Sequence, residues 1–104
     1  MTTFDDREQA FEAKFAHDEE MRFRVQARRN KLLGLWAADL LGHSDAAAEA
    51  YASTIVTTDL QEPGEEDVLR KVSADLAGKV DESDVRKKMA ELLSQAMEQM
   101  LAEA

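Results

Sequence analysis

Apolar residues recur at intervals of three and four along most of this chain, and no segment sustains a period of two with β-branched residues. That pattern predicts an all-α protein. Glycine and proline punctuate it at Gly42, at Pro63-Gly64 and at Gly78, leaving four helices, about 20–41, 46–61, 65–77 and 82–103. Connections this short favour antiparallel neighbours, so residues 20–104 are expected to form a four-helix bundle.

The first helix carries the stripe Val25, Leu32, Trp36 and Leu40, widened by Leu33, Ala37 and Leu41. Asp18 is placed to cap it, with Glu19 and Glu20 at the positive end of its dipole. Asp18 with Arg22 and Glu20 with Arg24 are spaced for i,i+4 ion pairs, and Gly42 suits a left-handed C-terminal cap. Ser44 or Asp45 caps the second helix, whose inner stripe reads Ala48, Tyr51, Ala52, Ile55 and Val56. The third offers Val68, Leu69, Val72 and Leu76 behind an acidic first turn and is expected to contribute least to the core. The fourth opens with Val80 and Val85 at staple positions around Asp81, and Asp84 falls where a capping box has its acid. Its stripe of Val85, Met89, Leu92, Leu93, Ala96, Met100 and Leu101 should supply one wall of the core.

Residues 1–19 break this logic. Phe4, Phe11 and Phe15 share one stripe, yet alanines and charges fill most of the surface around them. Such anchors need a partner. Either the segment folds back on the bundle, or it is an arm, helical or mobile, that seats its phenylalanines in a groove of another protein. An isolated helix shorter than about 12 to 15 residues is marginal in water, so ordering on binding is physically natural.

Composition narrows the chemistry. The 104 residues include no cysteine, which removes disulfides, thiolate metal sites and thiol catalysis. All four glycines are isolated, so there is no glycine-rich phosphate loop. His17 and His43 have no helical partner at i,i+4 and read as solvated helix termini, although three carboxylates beside His17 could make that break pH-sensitive. No carboxylate pair stands out from the 22 acids. No catalytic residue, metal ligand or required cofactor is assigned. Trp36, Tyr51, Met89, Met97 and Met100 read as core packing.

The net charge of -9 opposes binding to nucleic acid or anionic lipid. Residues 1–31 carry seven charges of each sign, so the whole excess falls on residues 32–104. No run approaches the roughly 18 apolar residues of a membrane span, and the start lacks a secretory pattern, which suggests a soluble cytoplasmic protein. Arg22, Arg24, Arg28, Arg29 and Lys31 form a basic cluster on more than one helix face. It reads as a solvated, salt-bridged surface or as a dock for a phosphate-bearing ligand or an acidic protein surface. One alternative is therefore a small sensing module that binds adenine nucleotide weakly through Arg28, Arg29 and Lys31 beside Trp36. Another is a self-associating helical adaptor.

The run Phe4-Asp5-Asp6-Arg7-Glu8-Gln9-Ala10-Phe11-Glu12-Ala13-Lys14-Phe15-Ala16-His17-Asp18-Glu19-Glu20, with Ala27-Arg28-Arg29-Asn30-Lys31-Leu32-Leu33-Gly34-Leu35-Trp36-Ala37-Ala38 after it, resembles the zeta subunit of bacterial rotary ATP synthase, an ATPase inhibitor. The placement of Gly42, Pro63 and Gly78 agrees with that family over the rest of the chain. The resemblance implies an N-terminal inhibitory arm, residues 1–19, followed by a helical body. It implies insertion of the arm between a catalytic and a noncatalytic subunit beside the rotor shaft, where it blocks rotation in the hydrolysis direction. On this sequence the implied contacts are Phe4, Phe11 and Phe15 as anchors, with Arg7, Glu8 and Lys14 setting register. The implied protein is not an enzyme, is a monomer when free, and reaches the membrane only through the synthase.

Overall fold

The computed structural model describes residues 18–61 and 64–103. The expectations for the arm contacts Phe4, Arg7, Glu8, Phe11, Lys14 and Phe15, and for His17, lie outside the described residues. Four helices follow in order: α1 (Glu19–Leu40), α2 (Asp45–Gln61), α3 (Glu65–Asp75) and α4 (Glu82–Glu103). Among the described residues there is no strand, and the architecture is the all-α four-helix bundle expected from the periodicity.

The helix ends follow local chemistry. Asp18 is extended and its Oδ1 accepts from the Met21 amide at 3.0 Å, satisfying one of the free donors of the first turn. The Glu20–Arg24 pair forms at 2.8 Å. The expected Asp18–Arg22 pair does not, because that carboxylate is turned to the backbone as the cap. At the other end of α1 the His43 amide reaches back to the Ala38 carbonyl at 2.9 Å, across Gly42 at φ +83°. This is the left-handed closure that glycine permits without a Cβ clash. The capping box of α4 is complete on its backbone side: the Asp81 amide donates to Asp84 Oδ2 at 3.1 Å, with Val80 half-buried and Val85 buried as the staple.

α1 organises the packing, lying mainly on α2 and then on α4, with α3 bridging α2 and α4. The main core joins Leu33 and Ala37 of α1, Ile55 of α2, Val68, Leu69 and Val72 of α3, Leu76 just beyond it, and Val85, Met89 and Leu92 of α4. A smaller cluster around Val25 and Ala96 closes the end where α1 begins and α4 finishes.

Two expectations are corrected. The buried row of α1 is Val25, Arg29, Leu33 and Ala37, with Asn30, Gly34 and Ala38 beside it, whereas Leu32, Trp36 and Leu40 are only half-buried. The cause is a close approach to α2: a Cβ built on Gly34 would stand 2.5 Å from the Ala52 Cα. Small residues therefore line the seam between the two helices, and the large apolar side chains are pushed to its flanks. The third helix is also no minor contributor, since Val68, Leu69, Val72 and Leu76 are all buried in the main core. Its short length conceals this, because nearly its whole apolar face is covered by α2 and α4.

Candidate functional site

The feature of the surface that packing does not explain lies on the first half of α1. Phe23 is 53% exposed and is the one exposed large hydrophobic side chain among the described residues. It shares an open groove of about 550 Å³ with Ala27, with Val56 of α2 and with Met100 of α4. Arg24, Arg28, Lys31 and Glu103 border the same groove.

The charges around it are paired. Both terminal nitrogens of Arg28 donate to the two carboxylate oxygens of Glu103, at 2.7 and 2.8 Å, a forked contact between α1 and the last turn of α4. These hydrogen bonds raise the Arg28 pKa and hold the Glu103 carboxyl below the usual carboxylate range. Arg24 pairs with Glu20 at 2.8 Å and Lys31 with Glu49 at 3.8 Å, and all four of those side chains are more than half exposed.

Arg29 takes no part in the groove. It is 1% exposed, donating from Nε to Asn30 Oδ1 at 2.8 Å and from Nη1 to Glu65 Oε1 at 3.0 Å. It thereby fastens α1 to the first turn of α3. Trp36 is half-buried against the main core, with Lys88 Nζ 5.8 Å from its ring centroid. Of the four residues grouped in the sequence as a phosphate or nucleotide site, Arg28 and Lys31 border one groove and Arg29 and Trp36 do not. The i,i+4 row from Val25 through Arg29 to Leu33 was the available signal that Arg29 points inward. Phe23, Met100 and Glu103 were not singled out as a group, since only the antiparallel pairing of α1 and α4 brings them together.

A second polar cluster serves the fold. Tyr51 donates to Asp75 Oδ2 at 2.8 Å, Lys71 reaches the same oxygen at 3.0 Å, and the His43 ring lies 6.1 Å from the Tyr51 ring. Burial first, and then the bond to Asp75, push the Tyr51 phenol well above its ordinary pKa. Arg86 of α4 holds Glu66 of α3 at 3.2 Å and Glu82 at 3.6 Å, and the bond to Glu66 is the main cause of its raised pKa. Among the described residues no group of three or more acidic or histidine side chains could hold a metal ion. No helix among them is long and apolar enough to cross a membrane.

The fold places the chain in the class of small all-α bundles. The comparisons specify which. The model of the family described as ATPase inhibitor subunit zeta matches residues 1–99, and the chain belongs to that family. Its role is accordingly that of an inhibitor associated with the ATP synthase. A chain whose structure was solved in solution by NMR is similar, at 49% identity and a TM-score of 0.73, over 81% of this chain and 99% of that one. No curated protein matches.

Proposed function

We propose that the chain inhibits ATP hydrolysis by inserting its N-terminal segment into a catalytic interface of the ATP synthase head. Phe4, Phe11 and Phe15 anchor the segment between a catalytic and a noncatalytic subunit, and Arg7, Glu8 and Lys14 set its register against the cleft walls and the rotor shaft. The inhibitor needs no chemistry of its own. It has to fill an interface that must change shape during each rotary step, so that the next conformation in the hydrolysis direction cannot form. The bundle holds the segment near its cleft, raising its effective concentration there. In this reading the free protein is a monomer on the cytoplasmic side, joined to the membrane only through the synthase.

The observation that carries the reading is that the family match begins at residue 1 and so includes the anchor-bearing segment. The test is steady-state ATP hydrolysis by a purified bacterial catalytic head. It is titrated with the full chain, with a chain lacking residues 1–17 so that the Asp18 cap is kept, and with a full-length Phe4→Ala, Phe11→Ala, Phe15→Ala variant. The full chain should inhibit, while both altered chains should need a concentration higher by about 100-fold or more, the scale of losing clustered anchor residues. Inhibition by the chain lacking residues 1–17 at the same midpoint would overturn the assignment of the segment.

A further inference from the structure

The observations point beyond the arm to the bundle itself. We propose that the groove over Phe23, Val56 and Met100 is a second docking surface. Its occupant is an acidic segment with an apolar anchor on the enzyme that the chain inhibits, and Glu103 is an internal carboxylate which that segment displaces from Arg28. The proposal rests on the inhibitor reading above for the identity of the partner, and on independent geometry for the surface.

Three features argue for it. Phe23 is the one large apolar side chain left in solvent among the described residues, and it is flanked by further apolar surface from two other helices, Val56 and Met100. A contiguous apolar floor with charged edges is the anatomy of an interface anchor rather than of scattered surface residues. The second feature is charge. The chain is net -9, yet Arg24, Arg28 and Lys31 stand together along this groove, with Glu103 as its one acidic lining residue.

Each of those cations already holds a carboxylate of the chain: Glu20, Glu103 and Glu49. All three carboxylates are more than half exposed and compete with water for their cations, so a partner's carboxylates can exchange with them. The forked Arg28–Glu103 contact shows the recognition chemistry in place, since a planar guanidinium takes a carboxylate from another helix with both oxygens. The third feature is position. α1 starts at Glu19, so Phe23 lies in its first turns, close in sequence to the segment that the inhibitor reading seats in the enzyme. Under that reading, a segment seated in a cleft leaves this groove only a few residues of chain away from it.

The test uses the full chain and the purified catalytic head, with calorimetric affinity and the midpoint of ATPase inhibition read in parallel for Phe23→Ala, Phe23→Leu and Glu103→Gln. Phe23 is exposed, so its substitution should leave the helical circular dichroism and thermal unfolding unchanged, and Phe23→Leu should retain most of the affinity. Phe23→Ala should weaken binding about tenfold, the effect of a peripheral anchor, without changing the inhibition reached at saturation. Glu103→Gln should tighten binding by a few fold, because the internal competitor is weakened.

Unchanged affinity in Phe23→Ala, or weaker binding in Glu103→Gln, would overturn the docking surface while leaving arm-based inhibition intact. If the full chain binds the head without inhibiting it and Phe23→Ala still weakens that binding, the surface stands and the arm mechanism fails. Concentration-dependent dimerisation that Phe23→Ala abolishes, with no change in binding to the head, would assign the groove to a second copy of the chain and overturn the proposal.

Discussion

At the scale of single residues, Arg29 is the most consequential side chain in the bundle. Burying a guanidinium to 1% exposure is costly, and the cost is offset here by the Asn30 side-chain Oδ1 and one Glu65 oxygen, which accept its hydrogen bonds. Glu65 is itself 60% exposed, so the pair is asymmetric: losing the carboxylate strands a buried cation, whereas losing the arginine returns a carboxylate to water. We expect Glu65→Ala to cost about 2 kcal/mol, less than a fully buried pair would because Glu65 is partly solvated. Arg29→Met should be near neutral, since it fills similar space without a charge. In the Arg29→Met background the cost of Glu65→Ala should nearly vanish. Urea unfolding of the two single variants and the double variant measures the coupling, and additive costs would refute it. The sequence placed Arg29 in a basic cluster because charge type outweighed row position in that reading. Its neighbours at i-4 and i+4, Val25 and Leu33, carried the opposite information. The helix caps were legible residue by residue, because Asp18, Gly42 and the Asp81–Asp84 pair act through chain-local geometry that needs no tertiary knowledge.

At the scale of helices, the existence and approximate bounds of all four were readable from period and punctuation, but the face that α1 buries was not. Large apolar residues at 32, 36 and 40 dominate the pattern, yet the closest helix approach selects the smallest side chains, and Gly34 against Ala52 fixes where α1 and α2 cross. This contact is testable. A Cβ at Gly34 would lie 2.5 Å from Ala52 Cα and 3.3 Å from an Ile55 side-chain carbon, so Gly34→Ala forces the helices apart. Overpacking of this kind costs about 1–3 kcal/mol, against about 1 kcal/mol gained from the higher helix propensity of alanine. A net fall in thermal stability should result. Trimming the neighbour should not rescue it, because the nearest atom is the Ala52 Cα itself: the Gly34→Ala, Ala52→Gly pair should remain less stable than the parent. A pair variant as stable as the parent would show that the seam is set elsewhere.

At the scale of the whole molecule, α1 belongs to two regions at once. Its second half is locked in the main core with Ile55, Val72 and Leu76, while its first half carries the groove and follows residues 1–17 in sequence. The bundle was legible because its parts complement one another within the chain. Phe4, Phe11 and Phe15 were conspicuous for the opposite reason: alanines and charges fill most of the sequence around them, so no internal pattern specified a surface for them. This division predicts how stability and inhibition separate. The buried residues of the described bundle run from Val25 to Ala96, and the cap that starts α1 is Asp18. Deleting residues 1–17 should therefore leave a cooperative thermal transition with Tm within about 2 °C of the full chain, since 1 kcal/mol in a domain of this size moves Tm by about 4–8 °C. The same deletion should raise the concentration needed to inhibit the catalytic head by about 100-fold or more. A Tm lowered by more than about 4 °C would mean that the segment contributes to the free bundle. Inhibition would then have to begin by pulling it away from the body, and the boundary between arm and bundle would fall elsewhere.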